Sequence, residues 1–321
     1  MNSSSVSGTS PRMRGRLACR QTTAGALRTL RTAGFRGNSW WTLRPLCPLT
    51  RLKGCWVLAL IGLGAGLAAC RAPAVSEAGS TPVLRVMTYN IHHGEGLDGR
   101  VDLERIAGLI REQEVDLVAL QEVDRGVART DRADQPAELA ALTGMTVVFS
   151  NNYDYQGGEY GNAILSRWPV VASSNRHYRM ERTGEQRGLL EARIDWPGQP
   201  LRFMSTHLDH RPDDTERLAN VTEIREEVLR DPGLPVILAG DFNDYPGRAL
   251  HQQLKTFLAD AWEQAGQGPG FTFSSREPDR RIDYVWVAEG RGFEPASARV
   301  VGSEASDHLP LVVEFRWLGQ P

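Results

Sequence analysis

The chain has 321 residues, and its formal net charge of −2, from 37 Lys and Arg against 39 Asp and Glu, conceals two unlike parts. Residues 1–70 hold ten of the basic residues and no acidic ones, so residues 71–321 carry 27 basic against 39 acidic residues, a net charge of −12. Such an acidic domain is a poor match for long stretches of phosphate backbone. All four cysteines lie within residues 1–70, which excludes a disulfide framework or a cysteine zinc site further along.

Residues 1–70 are predicted to be a leader and lipoprotein-type signal segment. The apolar stretch at 56–69 follows Arg51 and Lys53, which is the order of a secretory signal. It is shorter than the roughly 20 residues of a membrane-spanning helix. Its end, LAAC at 67–70, resembles the lipobox of bacterial lipoproteins, in which the cysteine is lipidated and becomes the mature N-terminus. We therefore expect an extracytoplasmic bacterial lipoprotein anchored to the membrane through Cys70.

Other interpretations of the leader stay open. Residues 1–50 are rich in Arg, Ser and Thr and lack acids, as mitochondrial transit peptides are, so a mitochondrial location is the alternative. An upstream misassigned start codon or an uncleaved anchor also fits. Residues 71–81 are small and polar, which is typical of a flexible tether, and residues 82–321 form the predicted folded domain.

The domain alternates strand-like and helix-like segments. Residues 83–91 and 116–123 are predicted strands, and residues 102–113 have apolar side chains at helical spacing. A second helix at 137–144 stops at Gly144. Further predicted strands are TVVFS (146–150), NAILS (162–166), LLEARIDW (189–196), LRFMSTHL (201–208), PVILAGDF (235–242), RIDYVWV (281–287) and LPLVVEFRW (309–317), with a helix at 215–229 capped by Asp213 or Asp214. The mixture favours an α/β sandwich of two mixed sheets flanked by helices, although periodicity alone does not separate it from an open doubly wound sheet.

Polar side chains recur where the apolar strands end or begin. An isolated carboxylate in such a place is usually a cap, but burying one is costly unless it is paired or binds a metal. Six strands share this feature, at Asn90, Glu122, Asn162, His207 with Asp209, Asp241 with Asn243, and Asp283, and the last strand opens with Asp307 and His308. The repetition indicates one polar site.

The motifs LRVMTYNI, LQEV, YGNAILS, STHLD, GDFND, RIDYV and SDHLPL, in this order, are similar to those of the endonuclease/exonuclease/phosphatase superfamily, which includes deoxyribonuclease I and neutral sphingomyelinases. The resemblance runs from about residue 84 to residue 315. It implies a four-layer α/β sandwich and a divalent-metal-dependent hydrolase that directs water in line at phosphorus, with no covalent nucleophile.

The resemblance also implies roles for individual residues. Glu122 is the expected metal carboxylate, with Asn90 and Asp307 as further ligands of Mg²⁺, for which Mn²⁺ can substitute. The catalytic histidine is His308, oriented by Asp283.

Further catalytic positions follow from the same resemblance. Asp241 and Asn243 are expected to position the attacking water and the phosphoryl oxygens, and whether Asp241 or His308 is the base stays open. His207 is the expected acid or phosphate contact, because it matches the position where deoxyribonuclease I-like and sphingomyelinase-like members carry a histidine. Abasic-site endonucleases carry a tyrosine there, so the chain departs from that branch.

Less specific signals add candidates at the edge of the site. Asn162 is predicted to contact a phosphate oxygen, and Arg187 could hold an anionic substrate through two hydrogen bonds, although a plain surface arginine explains it equally well. Asp209 is a supporting candidate, and His210 is as well explained as a loop histidine. Glu159 could orient His207, although a solvated loop glutamate explains it better. Trp262, Phe271 and Phe273 are expected to be core or lid residues.

The predicted function is a phosphodiesterase that acts outside the cytoplasm on a small or lipid head-group phosphodiester, at a membrane surface reached through lipidated Cys70. A nuclease on DNA or RNA is the alternative, disfavoured because the chain lacks a basic groove with aromatic residues. A non-catalytic binding lipoprotein is a third interpretation, which is disfavoured because a binding module would not need all of Glu122, Asp241, Asn243, Asp283 and His308. No protein partner is implied.

Overall fold

The computed structural model describes residues 82–197 and 199–319. The predicted leader, the tether and Cys70 lie outside this range, so these predictions stay as they were made. Within the described residues, no helix has the length and apolar character needed to cross a membrane.

The domain contains two six-stranded sheets. The strands are β1 (Val83–Asn90), β2 (Leu117–Arg125), β3 (Thr146–Tyr155), β4 (Gly158–Ser166), β5 (Val170–His177), β6 (Gly188–Trp196), β7 (Gln199–His207), β8 (Val236–Asp241), β9 (Ala259–Asp260), β10 (Asp283–Val287), β11 (Phe293–Val300) and β12 (Leu311–Trp317). One sheet has the order β11-β12-β1-β2-β4-β3 and the other β5-β6-β7-β8-β10-β9. The central pairs β1–β2 and β7–β8 are parallel, and their neighbours are antiparallel, so both sheets are mixed.

Helices cover the outer face of each sheet. The helices on these faces are α1 (Leu103–Glu112), α2 (Gln135–Thr143), α3 (Thr215–Leu229) and α4 (Ala249–Leu254), whereas α5 (Ala261–Ala265) contributes Ala261 and Trp262 to the apolar core between the sheets. The two sheets pack face to face through apolar side chains such as Val86 and Leu117 from one and Phe203 and Ile237 from the other. Separate apolar clusters join α1 and α2 to the first sheet and α3 and α4 to the second. This confirms the predicted α/β four-layer sandwich and excludes the open doubly wound sheet.

Local sequence explains where the helices begin and end. The Asp102 carboxylate accepts hydrogen bonds from the first backbone amides of α1, and Gly144 ends α2 with a φ of +69°, which glycine adopts without steric cost. At the start of α3 the carboxylate of Asp213, rather than that of Asp214, accepts from the Thr215 amide at 2.9 Å.

The sequence did not reveal β5, β9 and β11 or the short helices α4 and α5. β5 is a largely exposed edge strand, so it lacks the apolar alternation that marks a half-buried strand. β11 is also at an edge, and it contains Pro295, next to which its register against β12 is irregular. A sheet tolerates proline mainly at edge strands and at such irregularities, so this segment did not look like a strand.

Gly240, which precedes Asp241 in β8, is required by close packing of two backbones. It has a φ of +155°, and a Cβ there would lie 2.0 Å from the carbonyl oxygen of Thr206 in β7. We expect Gly240→Ala to lower the free energy of unfolding by about 3 kcal/mol or more, because no rotamer change relieves a clash with backbone. Gly302→Ala is the matched control, since no atom lies within 4 Å of its added Cβ. Equal denaturant midpoints for the two variants would contradict this explanation.

Candidate active site

The carboxyl ends of β1, β2, β7 and β8 meet at one cleft of about 310 Å³. Parallel neighbours end at the same edge of a sheet, and the face-to-face packing of the sheets brings both edges together. Predicted site residues that line the cleft are Glu122, Arg187, His207, Asp241, Asn243, Asp307 and His308. Residues from loops and the β3–β4 hairpin complete its walls, namely Arg129, Tyr153, Tyr155, Tyr160, Glu185, His210 and Phe273.

Sheet register places three titratable side chains side by side. His207 pairs with Asp241 between β7 and β8, and Asp241 pairs with Asp283 between β8 and β10. His308 completes the group: its Nδ1 lies 2.9 Å from Asp283 Oδ2 and its Nε2 lies 3.7 Å from Asp241 Oδ2. The Asp283 carboxylate therefore fixes the imidazole so that Nε2 faces the cleft.

The buried charges set the protonation of this group. Burial lowers the pKa of His308, but the charge of Asp283 and its hydrogen bond, with a contribution from Asp241, outweigh burial and raise that pKa to about 10. Burial and then the charge of Asp283 raise the pKa of Asp241 to about 7, although His308 and the Asn90 amide act in the opposite direction. Near neutral pH the imidazole of His308 is thus charged, and Asp241 exchanges protons readily.

His207 is neutral, and its proton position follows from its partner. Nη1 of Arg187 lies 2.9 Å from Nδ1 of His207, and a guanidinium only donates, so Nδ1 accepts and Nε2 carries the hydrogen. That Nε2 lies 3.5 Å from Asp241 Oδ2. Burial, followed by the charge of Arg187, lowers the pKa of His207 well below its usual 6.5. The cleft therefore receives a fixed N–H donor from His207.

A bulge turns Glu122 towards the cleft. The register of β2 against β4 shifts between Leu120 and Val123, and Glu122 has a φ of +59°. Bulges near active sites commonly re-aim one side chain in this way. The preceding Gln121 stays buried between the sheets, where its Nε2 donates to Ser205 Oγ at 3.3 Å.

Asn90 links the two sheets at the floor of the cleft. Its Nδ2 donates to Glu122 Oε1 at 3.0 Å and to Asp241 Oδ2 at 3.1 Å, and its Oδ1 accepts from the His92 amide at 3.0 Å. In this orientation Asn90 positions both carboxylates, and its role as a metal ligand stays a prediction.

The donor set fits a divalent cation. The carboxylates of Glu122 and Asp307 both open to the cleft, and neither forms an ion pair with an Arg or Lys side chain among the described residues. Carboxylate oxygens of this kind suit hard divalent ions. The hydrogen bond from Asn90 holds the Glu122 carboxylate in place, as the hydrogen-bond partners of metal ligands commonly do.

Some predicted residues lie elsewhere. Asn162 is buried and is not among the residues that line the cleft, and its Nδ2 donates to the Gly188 carbonyl at the start of β6, so its position gives no support to a phosphate contact. Glu159 pairs with Arg125 rather than with His207, whose orienting partner is Arg187. Asp209 pairs with Arg211 outside the cleft.

The aromatic candidates divide between core and cleft. Trp262 is buried in the core between the sheets, and Phe271 is exposed. Phe273 lines the cleft, with its ring centroid 4.8 Å from that of His308.

Sequence reasoning missed the part of the cleft wall that contains Arg129 and three tyrosines, Tyr153, Tyr155 and Tyr160. Arg129 lies over the rings of Tyr155 and Tyr160 and forms two hydrogen bonds with the buried Asp124. The rings of Tyr153 and Tyr155 stack with centroids 6.2 Å apart. The only available signal was the run of tyrosines in YDYQGGEY, which equally describes an ordinary hairpin.

A two-sheet sandwich with a buried Asp–His pair and carboxylates at its strand ends defines a class of metal-dependent phosphoester hydrolases. The model of the endonuclease/exonuclease/phosphatase family matches residues 87–308, and the chain belongs to this family. Its members hydrolyse phosphoric ester bonds and are generally dependent on divalent metals, so the chain is such a hydrolase.

Known proteins resemble the chain over most of the domain. The uncharacterized protein YbhP of Escherichia coli (strain K12) is 30% identical over 244 residues, which cover 72% of this chain and 95% of YbhP. The crystal structure of an endonuclease/exonuclease/phosphatase from Beutenbergia cavernae is 30% identical with a TM-score of 0.63, over 74% of this chain and 72% of that one. A mannosyl-6-phosphatase from Bacteroides thetaiotaomicron shares the fold at 20% identity and a TM-score of 0.61, over 73% of this chain and 100% of that one.

Proposed function

We propose that the chain is a phosphodiesterase that cleaves a small or lipid head-group phosphodiester, outside the cytoplasm, by in-line attack of water. One observation carries the reaction. A single carboxylate oxygen, Asp241 Oδ2, lies 3.1 Å from the Asn90 amide nitrogen, 3.5 Å from His207 Nε2 and 3.7 Å from His308 Nε2. The arrangement holds a proton acceptor next to three N–H donors, two of them imidazoles, at the floor of the cleft.

The protonation states assign the roles. Asp241, with a pKa near 7, accepts the proton of the attacking water, whereas His308, with a pKa near 10, is already protonated and is no base at neutral pH. The charged His308 and the N–H of His207 stabilise the negative charge that develops on the phosphoryl oxygens and the leaving group. A divalent cation held by Glu122 and Asp307, which we propose to be Mg²⁺ or Mn²⁺, adds Lewis-acid polarisation when bound.

The charge of the cleft favours a diester over a monoester. Four carboxylates, two arginines and the charged His308 line it, and each cation is paired: Arg187 with Glu185 at 2.8 Å, Arg129 with Asp124, and His308 with Asp283. A monoester dianion needs more free positive charge than a diester monoanion. The walls of the cleft therefore match the singly charged group better.

The size of the cleft favours a small substrate. A volume of about 310 Å³ is at the lower end of ligand pockets, and tyrosines form one wall. The net charge of −12 on residues 71–321 also disfavours long nucleic acids. The predicted lipid on Cys70 would keep the cleft near a membrane surface, where head-group esters are concentrated.

The test compares substrates with the full chain purified in detergent. We expect hydrolysis of bis(p-nitrophenyl) phosphate and of a phospholipid or sphingomyelin in mixed micelles, faster than of p-nitrophenyl phosphate or plasmid DNA, and abolished by EDTA. Faster cleavage of plasmid would establish the nuclease alternative, and activity indifferent to EDTA would overturn the mechanism. Incorporation of labelled fatty acid, lost in Cys70→Ser, tests the membrane anchor separately.

The pH profile should report the two buried groups. We expect kcat/KM to rise with pH as Asp241 loses its proton near 7 and to fall as His308 loses its proton near 10, since the base must be ionised and the imidazole charged. Asp283→Asn removes the charge that raises the pKa of His308, so the alkaline limb should move to lower pH. An alkaline limb that stays in place in Asp283→Asn would rule out this assignment.

A further inference from the structure

The turn after β1 holds two histidines that the proposed reaction does not use. His92–Gly94 form a single 3-10 turn in which His92 and His93 have φ values of +44° and +46°, a region that favours glycine. The His92 amide donates to Asn90 Oδ1, and Gln135 Nε2 donates to the His93 carbonyl at 2.7 Å. The backbone of both histidines is therefore fixed beside the cleft.

These imidazoles lie against the carboxylate of Glu122. One ring nitrogen of His92, one of His93 and one carboxylate oxygen of Glu122 all lie within 4.8 Å of one another. A metal ion about 2.0–2.2 Å from each ligand atom places such atoms about 3–4 Å apart. Small side-chain movements would therefore bring these three atoms to the distances of a metal site. His92 Nδ1 is also 4.0 Å from Asp307 Oδ1, on the other carboxylate expected at the metal.

His93 has one buried ring nitrogen that no protein group among the described residues satisfies and another that lies near a carboxylate. It is 6% exposed, its Nδ1 has no hydrogen-bond partner among the described residues, and its Nε2 lies 3.4 Å from Glu95 Oε2. Leaving a buried nitrogen unpaired costs about 1–3 kcal/mol. Histidine ligands commonly donate their second ring nitrogen to a carboxylate, as Glu95 allows here, which leaves Nδ1 for the metal.

We propose that His92, His93 and Glu122 form a mixed nitrogen–oxygen site that binds a divalent transition-metal ion, such as Mn²⁺ or Co²⁺, in preference to Mg²⁺. Imidazole nitrogen suits Fe²⁺, Ni²⁺, Cu²⁺ and Zn²⁺ best, and Mn²⁺ accepts it more readily than Mg²⁺, which takes oxygen ligands and retains its waters. The proposal deepens the proposed function, since the same Glu122 serves both. Metal binding is measured without substrate, so the proposed metal site can be disproved while the proposed hydrolysis is confirmed, and the hydrolysis can be disproved while the metal site is confirmed.

The test uses Mn²⁺ as the probe on the full chain in detergent, because the cysteines of residues 1–70 would bind softer ions. Pulsed electron paramagnetic resonance should show ¹⁴N couplings to Mn²⁺ that change when histidine is ¹⁵N-labelled. In the double variant His92→Asn/His93→Asn the couplings should vanish. Mn²⁺ affinity should fall at least about 100-fold while Mg²⁺ affinity changes little, since losing even a partner of a ligand costs about 10–100-fold.

The variants are chosen to keep the turn folded. Asparagine tolerates a positive φ, and the single variant His92→Asn, at a side chain 34% exposed, should lose one coupling if the double variant does not fold. His210→Asn, another histidine of the cleft, should keep all couplings. Wild-type protein without ¹⁴N couplings, couplings retained in the folded double variant, or equal losses of Mn²⁺ and Mg²⁺ affinity would overturn the proposal.

Discussion

Replacing Asp241 by asparagine is expected to lower kcat by about 10²–10⁴-fold, the range that a general base contributes, with little change in KM. Asparagine has the same shape and can still accept the hydrogen bond that the Asn243 amide donates to Asp241 Oδ1 at 2.9 Å. It cannot take a proton from water. Steady-state kinetics on the best diester substrate checks the split between kcat and KM.

The same variant should not lose stability, which separates a chemical from a structural effect. The pKa of Asp241 is raised in the folded state from 3.8 to about 7, so its contribution to stability is lost as pH rises across that range. Asparagine removes this penalty, which offsets the loss of the hydrogen bond that Asp241 Oδ2 accepts from Asn90 Nδ2 at 3.1 Å, so the Tm of Asp241→Asn at pH 8 should stay close to that of the wild type. Asp195→Asn, on the exposed side of β6, is the control that should retain activity. A large kcat loss together with a lower Tm would point to misfolding instead.

Replacing Glu122 by glutamine should lower kcat/KM by about 10²–10³-fold and should weaken divalent-metal binding in the absence of substrate. The amide keeps the size of the side chain but loses the charge that neutralises the cation, and only one of its two terminal atoms can accept the hydrogen bond from Asn90. Raising the metal concentration should restore part of the activity. Titration calorimetry with Mg²⁺ or Mn²⁺ measures the affinity directly.

Glu159→Gln is the matched control for Glu122→Gln. Glu159 lies in the neighbouring strand β4, partly exposed, and pairs with Arg125 at the surface. Its loss should change both metal affinity and kcat/KM by less than about threefold, as is usual for an exposed ion pair. Comparable losses in the two variants would show that Glu122 acts through the overall charge of the cleft rather than as a ligand.

Much of the fold could be predicted from the sequence because its signals are local. Apolar runs marked most of the strands, and α3 begins and ends where its pattern indicated. Polar residues directly after apolar runs marked the strand ends, and the structure brings Glu122, His207, Asp241 and Asp307 to one cleft. Edge strands such as β5 escaped prediction because they are exposed on both sides and carry no alternation.

Which of these residues contact one another could be learned only from the tertiary structure. Arg187, rather than Glu159, sets the tautomer of His207, because the register of β6 and β7 brings the two side chains within 2.9 Å. A bulge, invisible in LQEV, turns Glu122 into the cleft while Gln121 stays between the sheets.

The sequence by itself determined the chemistry available: which side chains follow each strand, and that carboxylates, amides and histidines would gather at one edge. Only the tertiary structure decided which of them are partners and which are charged. The distance of Asp283 from His308 and the burial of Asp241 set their pKa values. Distances of a few ångströms between residues far apart in the chain depend on strand register and sheet packing, and no local pattern encodes these.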